Sequence, residues 1–232
     1  MKSKENMKDK KDIKLKIFET AFGMYFENPT QFSVRNVAKE LKLSRDQVYT
    51  HFTSKKAILR YFYQLCFEEY INQTNEIDRY SEFTLEEKLA HLVYTHIELF
   101  QKEKEFVEST FNEIIFKANA NNIFQKSLEK QVEKILDTSE GDASILPSKY
   151  LAMILVKELF HIFKFWIKDD SEKSEDTIEL IDKIIAFLGE ILSNQIITKG
   201  IDLGRTLWGQ NHTRLAPNDL KFLFNSFFNR FA

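Results

Sequence analysis

The chain has 232 residues, 43% hydrophobic and 29% charged. That is a globular composition, long enough to bury a core without disulfides or structural metals. Six glycines and three prolines are too few for the turns of an all-β sandwich or barrel, and for Gly-rich phosphate loops. The single cysteine, Cys66, excludes an internal disulfide framework and a multi-cysteine zinc site. No run reaches the ~18 apolar residues of a membrane span. The first dozen residues are polar, with no apolar signal segment behind them. A cytoplasmic protein without a membrane partner is expected.

Charge is unevenly placed. Residues 1–60 hold 14 Lys/Arg and 7 Asp/Glu, while the remainder holds 19 and 28. A basic head on an acidic body points to a polyanionic partner for the head. Five of those lysines lie in residues 1–11, which read as a disordered basic arm.

From Asp12 the sequence predicts helices to the end, an all-α fold. Ile13, Ile17, Ala21 and Tyr25 recur at i+4 steps in a helix to Glu27, which Asn28-Pro29-Thr30-Gln31 stops. Ser33 is a good N-cap, followed by Val34, Val37, Ala38 and Leu41 at helical spacing. Lys42-Leu43 makes a tight turn, Ser44 caps a third helix reaching about Phe52, and Ser54 caps a fourth from Lys55 to about Thr74. Thr84 and Glu87 form a capping box for a helix to about Lys102. Further helices are expected over 104–117, 119–137 and 147–168, with a loop at 138–142. After a polar link, 169–174, a last long helix is expected over 175–199, closed by Gly200. An irregular connector over 201–216 then leads to an amphipathic helix over 218–231, which crowds Phe222, Leu223, Phe224, Phe227, Phe228 and Phe231.

Two short helices joined by a tight turn, the second with a polar outer face, form the helix-turn-helix pattern. Val34, Val37, Ala38, Leu43, Val48 and Phe52 are placed to form its small core. Arg45, Asp46, Gln47, Tyr49, Thr50 and His51 remain for solvent or DNA. Arg can pair bidentately with guanine and Gln with adenine. Ser44-x-x-Gln47 is also a capping box, so Gln47 either reads a base or closes the helix end.

These residues resemble the TetR family of bacterial transcriptional regulators. The resemblance runs from Ile17 to Ala21, from Phe32 to Glu40, and through Leu43-Ser-Arg-Asp-Gln-Val-Tyr-Thr-His-Phe52 to Ser54-Lys-Lys-Ala-Ile-Leu59. It covers about 50 contiguous residues, and the Val-Tyr-x-His-Phe-x-Ser-Lys run is its most specific part. Lys42 and Asp46 stand where the family often has Gly. The resemblance implies an N-terminal DNA-binding domain (12–54) and a helical ligand-binding and dimerisation domain (55–200). It does not reach the C-terminal extension, 201–232.

It further implies phosphate contacts from Ser33, Arg35, Tyr49, His51 and Lys55, and base reading by Arg45, Gln47 and Thr50. Outside this motif, Tyr49 would read as a core aromatic and His51 as an ordinary surface histidine. A homodimer would form through the last two long helices, where Ile178, Ile181, Ile185, Leu188 and Leu192 make a 3-4-3-4 seam; a core stripe within one chain is the other reading. Phe165-Trp-Ile-Lys-Asp-Asp-Ser171 resembles the turn that often joins those helices. A small apolar or amphipathic effector would release the protein from a pseudo-palindromic DNA operator. Phe100, Phe106, Phe111, Phe116, Phe124, Phe160 and Phe163 are candidate lining, and His91, His96, Asn112 and His161 candidate polar contacts. A phenylalanine stripe is more often plain core.

No catalytic constellation is visible, and no enzyme activity, cofactor or metal is expected. Glu158-x-x-His161 is one copy of a di-iron ligand pair, without a second. The alternative function is a carrier of apolar ligands on the same fold that does not bind DNA.

Overall fold

A computed structural model describes residues 2–30, 32–117, 122–139 and 148–193, with side chains from residue 10 to residue 189. Among the described residues there are nine α-helices and no strand: α1 (Lys2–Glu27), α2 (Val34–Glu40), α3 (Arg45–His51), α4 (Lys55–Glu76), α5 (Leu85–Gln101), α6 (Lys104–Thr110), α7 (Ile123–Ser139), α8 (Ser148–Lys168) and α9 (Glu175–Ser193). No helix among them is long and apolar enough to cross a membrane. Residues 140–147 and 194–232 lie outside the description. With them lie part of the expected loop at 138–142, Pro147, the last turns of the 175–199 helix with Gly200, the connector and the aromatic C-terminal helix.

The chain divides into two compact units. One holds Met1–Glu69 with Phe100–Phe124, the other Tyr70–Leu99 with Gln125–Ala232.

In the first unit, α1 begins at Lys2, so the segment expected to be a disordered arm is helical. Lys, Glu and Met are good helix formers, and no Gly or Pro interrupts residues 2–11. Asn28 ends α1, its side chain accepting from the Thr30 N–H at 3.0 Å. Ser33 caps α2 by accepting from the Asn36 N–H at 3.1 Å. The turn after α2 is closed by Leu43 N–H to the Ala38 carbonyl (2.8 Å) and Lys42 N–H to the Lys39 carbonyl (3.2 Å). That is the Schellman arrangement, and Lys42 takes the left-handed position that glycine usually fills, at φ 55°. Both halves of the capping box at α3 form: Gln47 N–H to Ser44 Oγ at 3.1 Å, and Ser44 N–H to Gln47 Oε1 at 2.8 Å. Val34, Val37, Ala38, Val48 and Phe52 are buried as expected, and Leu43 is half-buried.

A second core in this unit is aromatic. Phe106 is fully buried, with ring centroids of Phe22 at 4.8 Å, Phe62 at 5.0 Å and Tyr25 at 5.5 Å. The single helix expected over 104–117 is α6 followed by a π-helical turn, Phe111–Phe116. Its wider winding buries Phe111, Ile114 and Ile115 together, and Lys117 N–H bonds the Asn112 carbonyl at 3.0 Å. Next, α7 starts at Ile123 rather than 119, with Asn122 Oδ1 accepting from Phe124 N–H at 3.1 Å.

In the second unit, Thr84 and Glu87 complete the expected capping box at α5. Past the expected end at 137, α7 continues to Ser139. There the Thr138 hydroxyl bonds back to the Lys134 and Ile135 carbonyls, both at 3.0 Å, so Thr138 is helical rather than loop. The link between α8 and α9 is knotted by Asp169. Its carboxylate accepts from Ser171 N–H (2.9 Å), Ser171 Oγ (2.5 Å), Thr177 N–H (2.9 Å) and Thr177 Oγ1. Burial opposes the charge, but these hydrogen bonds outweigh it and hold the carboxyl down at about 2.

An aspartate normally titrates near ~3.9 when unfolded. The knot's stabilisation is therefore fully present above about pH 4 and is lost as pH falls through about 2. Asp169→Asn should thus lower urea stability by a constant amount above about pH 4, and the gap to wild type should narrow below it. A gap that stays unchanged down to pH 3 would contradict this account.

Candidate nucleic-acid interface

The first unit presents one polar edge. On α3, Arg45, Asp46, Gln47, Tyr49 and Thr50 are exposed, Tyr49 at 41%, while Val48 points inward. The edge is rigid because α3 is capped at both backbone and side-chain level and seated on α2. Asp46 lies in the first helical turn, where the helix dipole favours an acid. That gives its carboxylate a local role.

Each side chain offers specific atoms. Arg45 keeps its planar five-donor fork in solvent. Gln47 has its carbonyl oxygen committed to the capping box, which leaves the amide N–H groups as its means of contact. Thr50 donates its hydroxyl to the Gln47 carbonyl at 2.6 Å, so it meets a partner as acceptor or through its methyl group. Ser33 accepts from Asn36 and still has its own O–H to donate. Arg35 is exposed on α2. Lys55 opens α4, with Nζ 4.5 Å from the Phe32 ring centroid, a cation–π contact that aims an otherwise floppy side chain.

His51 is half-buried. Burial first, then the charges of Lys10 and Lys14, push its imidazole below the ordinary range. It is neutral at pH 7 and carries one ring N–H. Lys14 stacks its ammonium 4.3 Å from the Tyr61 ring and 5.4 Å from the Phe52 ring. Neither Lys10 nor Lys14 was legible as part of this edge, because their link to α3 runs through tertiary packing of α1. Cys66 is buried, and burial pushes its thiol up to about 12, which leaves almost no thiolate at neutral pH.

The candidate effector residues fall into two groups. In the first unit, Phe100, Phe106, Phe111 and Phe124 surround the fully buried Tyr63, with centroids 5.5–6.3 Å away. Tyr63 also shares a 2.7 Å hydrogen bond with Thr110. Asn112 is half-buried, donating to Glu113 at 3.1 Å, and Phe116 is half-buried.

In the second unit, His91 bridges two threonines, Thr74 at 3.1 Å through Nε2 and Thr95 at 3.2 Å through Nδ1. Thr74 already donates to the Tyr70 carbonyl at 2.7 Å, so Nε2 is the protonated nitrogen and Nδ1 accepts from Thr95. His96 is fully buried, donates from Nδ1 to the Leu92 carbonyl at 2.7 Å, and is held neutral at about 4 by burial. Phe160 and Phe163 are buried there too, while His161 is exposed. Glu158 is buried, so the two ends of the Glu-x-x-His pair face different ways.

A cavity of about 40 Å³ lies among α5, α7, α8 and α9 of the second unit. None of the eleven candidate lining and polar-contact residues lines it. Its walls include Leu92, Val132, Leu155 and Leu159, with Ile181, Ile185 and Leu188 from the expected dimer seam. Ile181 and Leu188 are buried within the chain, Ile185 is half-buried, and Ile178 is 43% exposed. Leu192 lies on α9 beyond the described side chains. Tyr150, Met153 and Phe165 of α8 are also exposed.

A family model described as tetracyclin repressor-like, C-terminal domain, matches residues 88–207. No curated protein matches the chain.

Proposed function

The chain belongs to the TetR family, and on that premise we propose that it is a dimeric DNA-binding regulator of transcription acting in the cytoplasm. It is a repressor, released from a pseudo-palindromic operator by a small apolar or amphipathic effector. The observation that carries this reading is the α3 edge: Arg45, Gln47, Tyr49 and Thr50 exposed on a doubly capped helix whose inner face is core. Arg45 and Gln47 read base edges, Thr50 assists, and Ser33, Arg35, Tyr49, His51 and Lys55 hold phosphates and set the register.

A homodimer supplies two such edges. Successive major-groove half-sites lie about 34–36 Å apart, so the operator mirrors the protein's twofold axis. The exposed Ile178, Tyr150, Met153 and Phe165 support pairing through α8 and α9; Ile185 and Leu192 extend that seam, and Ile181 and Leu188 back it from the core. An effector acts by binding the spacing that does not fit DNA more tightly than the one that does, and shifts the equilibrium only by that difference.

Selection of bound duplexes from a random pool tests the reading. A palindromic consensus supports the regulator. No enrichment at low salt would instead favour the carrier of apolar ligands. Lys55→Ala should weaken specific and random duplexes alike and flatten the log–log salt slope by about one. A sequence-dependent loss in fluorescence anisotropy would assign Lys55 a different role.

A further inference from the structure

The side chains of α3 that look straight away from the core begin with an acid. At 3.6 residues per turn, Asp46 and Thr50 each stand about 160° around the helix from the buried Val48. They lie one turn apart and form the crest of the exposed edge. Arg45 and Tyr49 flank that crest on one side and Gln47 on the other. Capping does not account for Asp46, because Ser44 Oγ already takes the Gln47 N–H and the Gln47 side chain takes the Ser44 N–H. The helix dipole favours an acid anywhere in the first turn and does not require the outermost position. Among the described residues, the exposed Asp46 carboxylate accepts no hydrogen bond and pairs with no cation. Thr50 donates its only hydroxyl proton to the Gln47 carbonyl at 2.6 Å. The crest therefore presents acceptors and a methyl group, and no donor.

We propose that Asp46 is a specificity-determining residue, accepting a hydrogen bond from the N4 amino group of one cytosine in each half-site. This deepens the regulator reading and rests on it. A helix in a major groove sets its crest against base edges and its flanks beside the phosphates. A carboxylate at the crest repels phosphate, so only a base donor can meet it. The groove offers two such donors, the amino groups of cytosine and adenine, while guanine O6 and thymine O4 are acceptors and are rejected. Adenine also places its N7 acceptor beside the amino group, against the second carboxylate oxygen. Cytosine has only a C–H there, so cytosine is the base selected. The negative charge weakens attraction to every duplex, and the matching sequence alone compensates for it.

Full-length wild type, Asp46→Asn and Asp46→Ala are each used to select duplexes from a random pool, and affinities are then titrated by fluorescence anisotropy. Wild type should require cytosine at one position of each half-site, and thymine there should cost about fivefold or more in affinity. Asp46→Asn should move that preference to adenine, because an amide accepts from N6 and donates to N7. Asp46→Ala should lose the preference at that position alone and bind random duplexes more tightly than wild type. Should one variant fail to fold, the other variant and the thymine substitution on wild type still decide. A wild-type consensus that neither variant alters, a lost position that prefers guanine or thymine, or an equal loss on all duplexes in Asp46→Ala would each overturn the assignment and leave the regulator reading standing. No enrichment by wild type at low salt defeats that reading, and the assignment with it.

Discussion

Arg45→Ala is expected to weaken binding to the selected operator by about 1–3 kcal/mol, roughly 5- to 150-fold, and to relax preference at one base pair per half-site. Arg45 is the first residue of α3 and exposed, at the helix end that the proposed docking places first in a groove. Its guanidinium matches the paired acceptors of guanine, an arrangement alanine cannot replace. Loss of charge alone would lower all affinities together. The measurement is therefore a pair of anisotropy titrations, on the operator and on a scrambled duplex at one salt concentration. Equal losses on both would make Arg45 a phosphate contact.

Phe106→Ala should cost about 3–5 kcal/mol of unfolding free energy, the range for deleting a fully buried phenylalanine. Phe106 is 0% exposed and touches rings from two helices, Phe22 and Tyr25 of α1 and Phe62 of α4. Removing it opens a void that those rings cannot fill without leaving one another. Urea denaturation followed by far-UV circular dichroism measures the loss. Ile123→Ala is the control, because Ile123 is 61% exposed and a surface change of this kind stays within about 0.5 kcal/mol. A loss below about 1 kcal/mol at Phe106 would mean its ring lines open space rather than core.

The sequence made the α2–α3 pair legible because its signals are local. Ser33, Ser44 and Gln47 act within three residues of themselves, and the apolar spacing around Val37 and Val48 fixes the buried face. What failed was tertiary. Nothing local distinguishes the π-helical turn at Phe111–Phe116 from a continued α-helix, since both are apolar and periodic. Charge alone makes residues 1–11 look disordered, but their Lys, Glu and Met favour a helix and α1 starts at Lys2. On α9, the 3-4-3-4 spacing is the same for a dimer seam and for a core stripe. Burial of Ile181 and Leu188 inside one chain, against exposure of Ile178, is set by α5 and α8. The aromatic residues of α6 and of the π-helical turn are equally ambiguous, and only ring contacts place Phe106 beside Phe62 and Tyr63 and Phe111 beside Tyr63.

Lys42 closes the turn between α2 and α3 in a left-handed conformation that costs a side-chain-bearing residue about 1 kcal/mol relative to glycine. The same residue keeps a cation at the corner beside the α3 edge. On the proposed reading, conformational ease and attraction to a phosphate backbone pull in opposite directions at position 42, and this chain carries the charge. The corner is a place where a gain in folding stability and a gain in affinity for a phosphate backbone exclude each other.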